Sequence, residues 1–174
     1  MRKRWLWLTA TWLVQMARVA AAQDVPPAQM QDVAFLVGHW HGTGWIIVDG
    51  QRLTFEQTEI VEPRADGAVL SIDGLGKSAD PNNPGTVIHS AFGMVSWDRA
   101  AEVFRWYAVE SSGFQTATEA EVSNEQLVWR TPGEAGTAVR YTIRLNARGQ
   151  WFEIGEREQV GCGWQKFFEM TLDR

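Results

Sequence analysis

Glu59, Glu153, Glu156 and Glu169 all fall inside segments rich in alternating and aromatic residues, where a charge is costly unless something partners it. Such a carboxyl has two options. It faces solvent and pairs across strands with Arg140, Arg144, Arg157 or Lys166, or it points inward and needs an arginine, a histidine or a ligand. Gln57, Glu59, His89, Tyr141 and Glu153 occupy candidate inward positions, so a polar cluster at the floor of a cavity is one outcome. A carboxyl and an imidazole within hydrogen-bond reach perform acid–base chemistry on a bound molecule, here isomerisation or hydrolysis of an apolar one. Trp106, Trp129, Trp151 and Trp164 pose the same choice between packed core and cavity wall, because both use the same residue types.

Other constellations are weaker. His39 and His41, two residues apart, share one face of a strand, but two imidazoles without a third ligand hold a metal poorly, so exposed histidines are expected and no metal. The sequence contains no Cys-x-x-Cys, no His-Glu-x-x-His and no Gly-x-Ser-x-Gly. Cys162, the only cysteine, lies between Gly161 and Gly163 and is expected to be an inert thiol in a turn, with no basic neighbour to activate it. Gly74 to Gly76 precede a polar stretch instead of opening a helix, so they are expected to form a turn and no phosphate cradle. These residues make no recognisable catalytic constellation and call for no cofactor.

The elements that would position these groups are strands. Beyond a possible helical turn over Met30 to Val37, alternation replaces helical periodicity along the whole chain. Strands are expected over Trp40 to Val48, Leu53 to Glu62, Ala68 to Leu75, Val87 to Trp97, Val103 to Val109, Phe114 to Val122, Leu127 to Arg130, Ala138 to Leu145, Trp151 to Glu158 and Trp164 to Leu172. Turn signals separate them, among them Asp49-Gly50, Pro63, Ser111-Ser112-Gly113 and Gly161 to Gly163. No segment is long enough for a parallel crossover, so an antiparallel meander of about ten strands results. Its edges must close or stay open, and an up-and-down barrel removes them, with a two-sheet sandwich as the alternative. Leu53, Phe55, Gln57, Glu59 and Val61 share one side of the second strand, which puts two polar groups in an apolar row and suits a partly polar interior.

Several segments also carry a resemblance. Phe35-Leu36-Val37-Gly38-His39-Trp40-His41-Gly42 is similar to the start of calycin barrels, where Gly-x-Trp opens the first strand. With Phe55-Glu56-Gln57-Thr58-Glu59, Val95-Ser96-Trp97-Asp98, Arg140-Tyr141-Thr142-Ile143 and the ending from Trp151 to Arg174, the chain resembles the bacterial lipocalin-like family of domains of unknown function numbered 1579. That resemblance implies a closed antiparallel barrel around a central cavity, and no particular activity. More distantly the chain resembles nitrobindin-type barrels, which hold haem through a histidine near the chain end. Here no histidine lies beyond His89, so haem would need His89 or another side chain as its axial ligand.

Residues 1 to 22 look like an address: Arg2, Lys3 and Arg4, an apolar stretch from Trp5 to Ala17, and small residues ending at Ala22 form the three-part pattern of a secretory signal peptide. The apolar run is shorter than the roughly 20 residues of a bilayer-spanning helix, so no stable membrane insertion is expected after cleavage. Residues 23–30 are expected to be a tether and 31–174 one barrel domain, located in the periplasm or secreted. Removal of the leader takes four basic residues and no acid, leaving 12 basic against 21 acidic and a net charge of −9. Nucleic acid is disfavoured as a partner by such a surface. A small hydrophobic molecule, held by Gln57, Glu59, His89, Trp106, Tyr141 and Glu153, is the expected partner; oligomeric state is not legible. Mass spectrometry of the exported protein should find Gln23, or a residue within a few positions of it, at the N-terminus; an intact Met1 would refute the signal peptide.

Overall fold

A computed structural model describes residues 27–133 and 136–174; the proposed leader and residues 23–26 of the tether lie outside the described residues. Ten strands run in chain order as β1 (Gly38–Val48), β2 (Gln51–Arg64), β3 (Val69–Ser78), β4 (Val87–Asp98), β5 (Val103–Glu110), β6 (Gln115–Ser123), β7 (Gln126–Pro132), β8 (Ala138–Leu145), β9 (Trp151–Gln159) and β10 (Gly163–Asp173). Each pairs antiparallel with the next, and β10 returns to pair with β1. The sheet is therefore a closed barrel. Among the described residues no helix is long and apolar enough to cross a membrane.

Local chemistry explains the meander. Asp49 and Gly50 both have positive φ, 50° and 75°, the conformation of a two-residue hairpin whose twist matches the flanking strands, and Val48 pairs with Gln51 across it. Asn124 and Glu125 repeat the device between β6 and β7 with φ of 51° and 55°. Period-two burial follows: on β2, Phe55, Gln57, Glu59 and Val61 are buried while Glu56, Thr58 and Ile60 are exposed.

Strand ends shift by up to three residues from the sequence reading, and three differences bear on the site and core. A 3-10 helix spans Ala28–Leu36, so residues 28–30 belong to it instead of to a tether, and Met30 is buried because its side chain joins the core. Pro63 does not stop β2, which runs on to Arg64, with Pro63 opposite Leu70. Gly74 to Gly76 form no turn; β3 continues through them to Ser78, opposite Glu59, Thr58 and Gln57. Turn propensity loses there to ladder hydrogen bonds on both sides of β3.

The interior has two zones. At the end where the β2–β3, β4–β5, β6–β7 and β8–β9 turns gather, Val61, Leu70, Val95, Leu127, Ile143, Trp151 and Leu172 pack with Val33 and Leu36 of the helix around fully buried Trp40. The Trp40 indole donates to the Leu36 carbonyl at 2.7 Å and meets the Trp151 ring edge-on at 5.8 Å. Arg174 stacks on Trp40 from outside, 4.4 Å from its ring, and donates to the Phe35 carbonyl, so the last residue of the chain holds the helix over this end.

Closure requires β1 and β10 to lie very close. A Cβ built on Gly42 would sit 2.2 Å from the Thr171 carbonyl oxygen and 2.9 Å from the Leu172 Cα, both backbone atoms that cannot swing aside. Gly44 is similarly tight against the Glu169 carbonyl and the Phe55 ring. Gly42→Ala is therefore expected to lose at least about 2–3 kcal/mol in equilibrium denaturation, the overpacking cost of forcing a methyl into a filled seam. An unchanged midpoint would show that the seam is looser than described.

Candidate functional site

Above the packed end the barrel is hollow, with a cavity of about 440 Å³, within the range of small-molecule sites. Its wall is built strand by strand. Beside the cavity β6 turns the small side chains of Thr116, Thr118 and Ala120 inward, with Val122 following toward the packed end, which leaves room for larger side chains of β5 and β7 to meet in front of it. Trp106 and Trp129 stack at 5.1 Å, Trp129 stacks on Tyr141 at 4.3 Å, and Tyr141 reaches Phe168, which stacks on Phe55 at 5.7 Å. The result is an aromatic wall running from β5 to β2. Phe168 joins it through a bulge in β10 between Lys166 and Phe168, which lets Phe167 and Phe168 both approach Tyr141.

All six residues expected to line a site, Gln57, Glu59, His89, Trp106, Tyr141 and Glu153, stand on this cavity wall. Glu59 accepts from the Gln57 amide at 2.7 Å through Oε1, and Glu153 accepts from the Trp151 indole at 3.0 Å through Oε2. The space for Glu59 and Gln57 comes from β3. A Cβ on Gly74 would lie 2.9 Å from the Glu59 carboxyl, and one on Gly76 2.7 Å from the Gln57 amide oxygen. The glycines that looked like a turn are the recess in which the polar floor sits. His89 lines the cavity but is exposed at its rim with Ile88, and is hydrogen-bonded to neither carboxyl.

The four glutamates divide cleanly. Glu59 and Glu153 point inward and are buried, whereas Glu156 pairs with Arg140 at 2.7 Å and Glu169 with Lys166 at 2.5 Å on the outer face. Trp164 also lies outside, under the Arg140 guanidinium at 4.2 Å. His39 and His41 are exposed on either side of Trp40, and Cys162 is exposed in the β9–β10 turn. Sequence reasoning missed Glu110 and Phe168 as wall residues, while Phe55 stands in the row it had placed on one side of the second strand with Gln57 and Glu59. The alternation Phe104, Trp106, Ala108, Glu110 along β5 carried Glu110; the bulge hid the parity of Phe168.

Burial governs the electrostatics. Desolvation pushes Glu59 up to about 7, against the opposing Gln57 hydrogen bond, with the Asp73 charge adding a little. It pushes Glu153 up to about 8, helped by repulsion from Glu59 and opposed by the Trp151 indole. Tyr141 is raised as well, by burial first and then by Glu153 and Glu110. Neither carboxyl has a cationic partner. The indole N–H groups of Trp106 and Trp129 are buried with no hydrogen-bond partner among the described residues, so the wall offers two donors as well as two acids.

No protein-family model matches the chain, and no curated protein matches it. Among solved structures it is similar to the crystal structure of Rv2717c from M. tuberculosis, with a TM-score of 0.62 over 86% of this chain and 99% of that one, at 13% identity. The likeness is one of fold alone. It places this barrel beside another of nearly the same extent and leaves the chemistry to this chain's own residues.

A carboxyl whose folded pKa exceeds its unfolded value holds more protons folded than unfolded between the two, so the fold loses stability as pH rises from about 4.5 toward 8. Glu153→Gln keeps the shape of the protonated acid and removes the charge. At ~1.4 kcal/mol per pKa unit, that variant should be on the order of 2–4 kcal/mol more stable than the parent at about pH 9, and equal to it near pH 4 to 5. Urea melts at the two pH values check this; equal stability at alkaline pH would mean that Glu153 reaches solvent.

Proposed function

We propose that this protein binds a small hydrophobic molecule inside its barrel, as an exported protein working in the periplasm or outside the cell. The observation that carries the reading is the hollow itself: a cavity of about 440 Å³ walled by Phe55, Trp106, Trp129, Tyr141, Ile143 and Phe168, with a few polar groups gathered on its floor. A barrel that needed only stability would fill that space, because an apolar hollow forfeits dispersion contacts on every side. Val48, Leu53 and Ile88 are exposed where the cavity opens, which gives an apolar molecule a path in. Burial of about 300 Å² of apolar ligand surface at ~25 cal/mol/Å² contributes roughly 7 kcal/mol, enough for micromolar binding.

One observation favours a second reading, acid–base chemistry on an apolar substrate: two carboxyls gain and lose protons near neutral pH within the cavity. His89, which that chemistry would recruit, stands apart from both. Binding explains the same cavity without a proton relay, and it is the reading adopted.

The neutral dye N-phenyl-1-naphthylamine reports on such a site by its own emission and by energy transfer from the wall indoles. It should give saturable one-to-one binding at micromolar concentration. Ala108→Trp, which fills the hollow from β5, should abolish the signal with the fold retained by circular dichroism. Absence of saturable binding to the parent protein would overturn the proposal.

A further inference from the structure

The distribution of charge around the barrel narrows the class of molecule. Basic side chains are engaged on the outside: Arg52 over Trp45, Arg144 over Phe152, Arg140 with Glu156, Arg105 with Asp98 and Glu119, Arg130 with Glu121. Among the described residues no lysine or arginine lines the cavity, while Glu59, Glu110 and Glu153 do. The hydrogen-bond donors that reach the two floor carboxyls, a carboxamide and an indole, are both uncharged, and each occupies one oxygen. Among the described residues no hydrogen bond reaches Glu59 Oε2 or Glu153 Oε1. Trp106, more than nine-tenths buried on the same wall, adds an unpartnered indole N–H, and its stacked neighbours present π faces that attract a cation. Acids without a counter-charge, aromatic faces and apolar walls together match a protonated amine on a hydrophobic body.

We propose that the cavity takes an apolar organic amine in its ammonium form, the nitrogen donating to the free oxygens of Glu59 and Glu153 and the carbon body lying against Trp106, Trp129 and Tyr141. This rests on the reading of the hollow as a small-molecule site and specifies its ligand. A neutral acceptor such as a ketone would accept from the indoles, and from the acids only while they hold their protons; an anion would face three carboxyls. Asp73 of β3 acts on Glu59, and Glu59 acts on Glu153; His89 of β4, Glu110 of β5 and Tyr141 of β8 are the other titratable groups on the cavity wall, and Arg157 of β9, which acts on Tyr141, is stacked on Phe167 at 4.2 Å. The facing positions of β1 and β10 are Trp40, Gly42, Gly44, Phe168 and Met170, which carry no charge. Because burial holds protons on both acids, an ammonium group must displace them, and the released protons go to solvent. Binding should therefore tighten as the acids ionise and weaken again only when the amine itself deprotonates, at about pH 10.

Phenylbutylamine, phenylbutanol and phenylbutyrate share one carbon body and differ in charge. Calorimetric titration of the purified protein at about pH 8 should show the amine binding at least about tenfold tighter than the alcohol, with the butyrate weakest, a gap typical of one charge-assisted contact. At about pH 5.5 that preference should fall to about twofold or less, as both acids stay protonated. In buffers of different ionisation enthalpy, amine binding near pH 7 should release protons and alcohol binding none. Glu153→Gln and Glu59→Gln should each remove most of the preference with the circular dichroism spectrum of the parent retained, which separates loss of charge recognition from loss of fold. Equal affinity for amine and alcohol, or tightest binding of the butyrate, overturns the amine proposal and leaves the small-molecule site standing. Failure of all three compounds together with the dye overturns the site as well.

Discussion

The meeting of the first strand with the last governs this molecule. Without the β1–β10 pairing, two long strands would each leave a row of backbone donors and acceptors bare, and the interior would open along a slot beside Trp40 and Met170. The pairing needs the two backbones to approach more closely than side chains allow at two positions of β1, and glycine stands at both. Closure then sets everything inside. Once the ring of ten is complete, each inward side chain has a fixed neighbour across the lumen, and the dielectric around a buried acid is set by walls and no longer by water.

Within that ring the two halves solve different problems. The helix-covered end is packed to exclusion, with Val33, Leu36, Trp40, Val95, Leu127, Ile143 and Leu172 all nearly inaccessible. It supplies the close-packed core on which the fold rests. The other half gives up that packing. Its aromatic side chains stand against one another in a sheet-like stack, so they stay ordered by ring contacts even where the hollow offers them nothing on the opposite side. A rigid end and an ordered wall keep the cavity open, and a preformed cavity lowers the ordering cost that a ligand would otherwise meet.

Much of this was legible in the residues. Alternation and short turns located all ten strands to within three residues at either end, because barrel strands with one wet face must repeat every second residue. The inward parity of β2 named Gln57 and Glu59 directly. What the residues hid was context of a kind that period two does not carry. Gly74 and Gly76 looked like punctuation, since a glycine says only that no side chain is present; that the missing volume serves Glu59 and Gln57 of the neighbouring strand is a fact of register. The β10 bulge shifts parity by one, so Phe167 and Phe168 both face Tyr141. Alternation puts Glu153 and Glu156, three residues apart on one strand, on opposite faces but does not name the inner one; the partner at the adjacent position decides it, Arg140 being opposite Glu156.

The recess and the acids are best understood together. Glycine inside a strand weakens it, and a carboxyl in an apolar lumen resists ionisation, so each feature alone lowers stability. Combined, they yield something neither provides: a carboxyl set back into the wall against Gly74 and fixed by one neutral donor. A cationic side chain in the lumen would have relieved the same strain, and the basic residues instead lie outside on Trp45, Phe152 and Trp164 or against surface acids. A buried acid without a counter-charge, once ionised, interacts with an incoming charge more strongly than a surface acid does, because solvent shields it less. A positively charged guest would offset part of the destabilisation that burial imposes on Glu59 and Glu153, less the cost of desolvating its own charge.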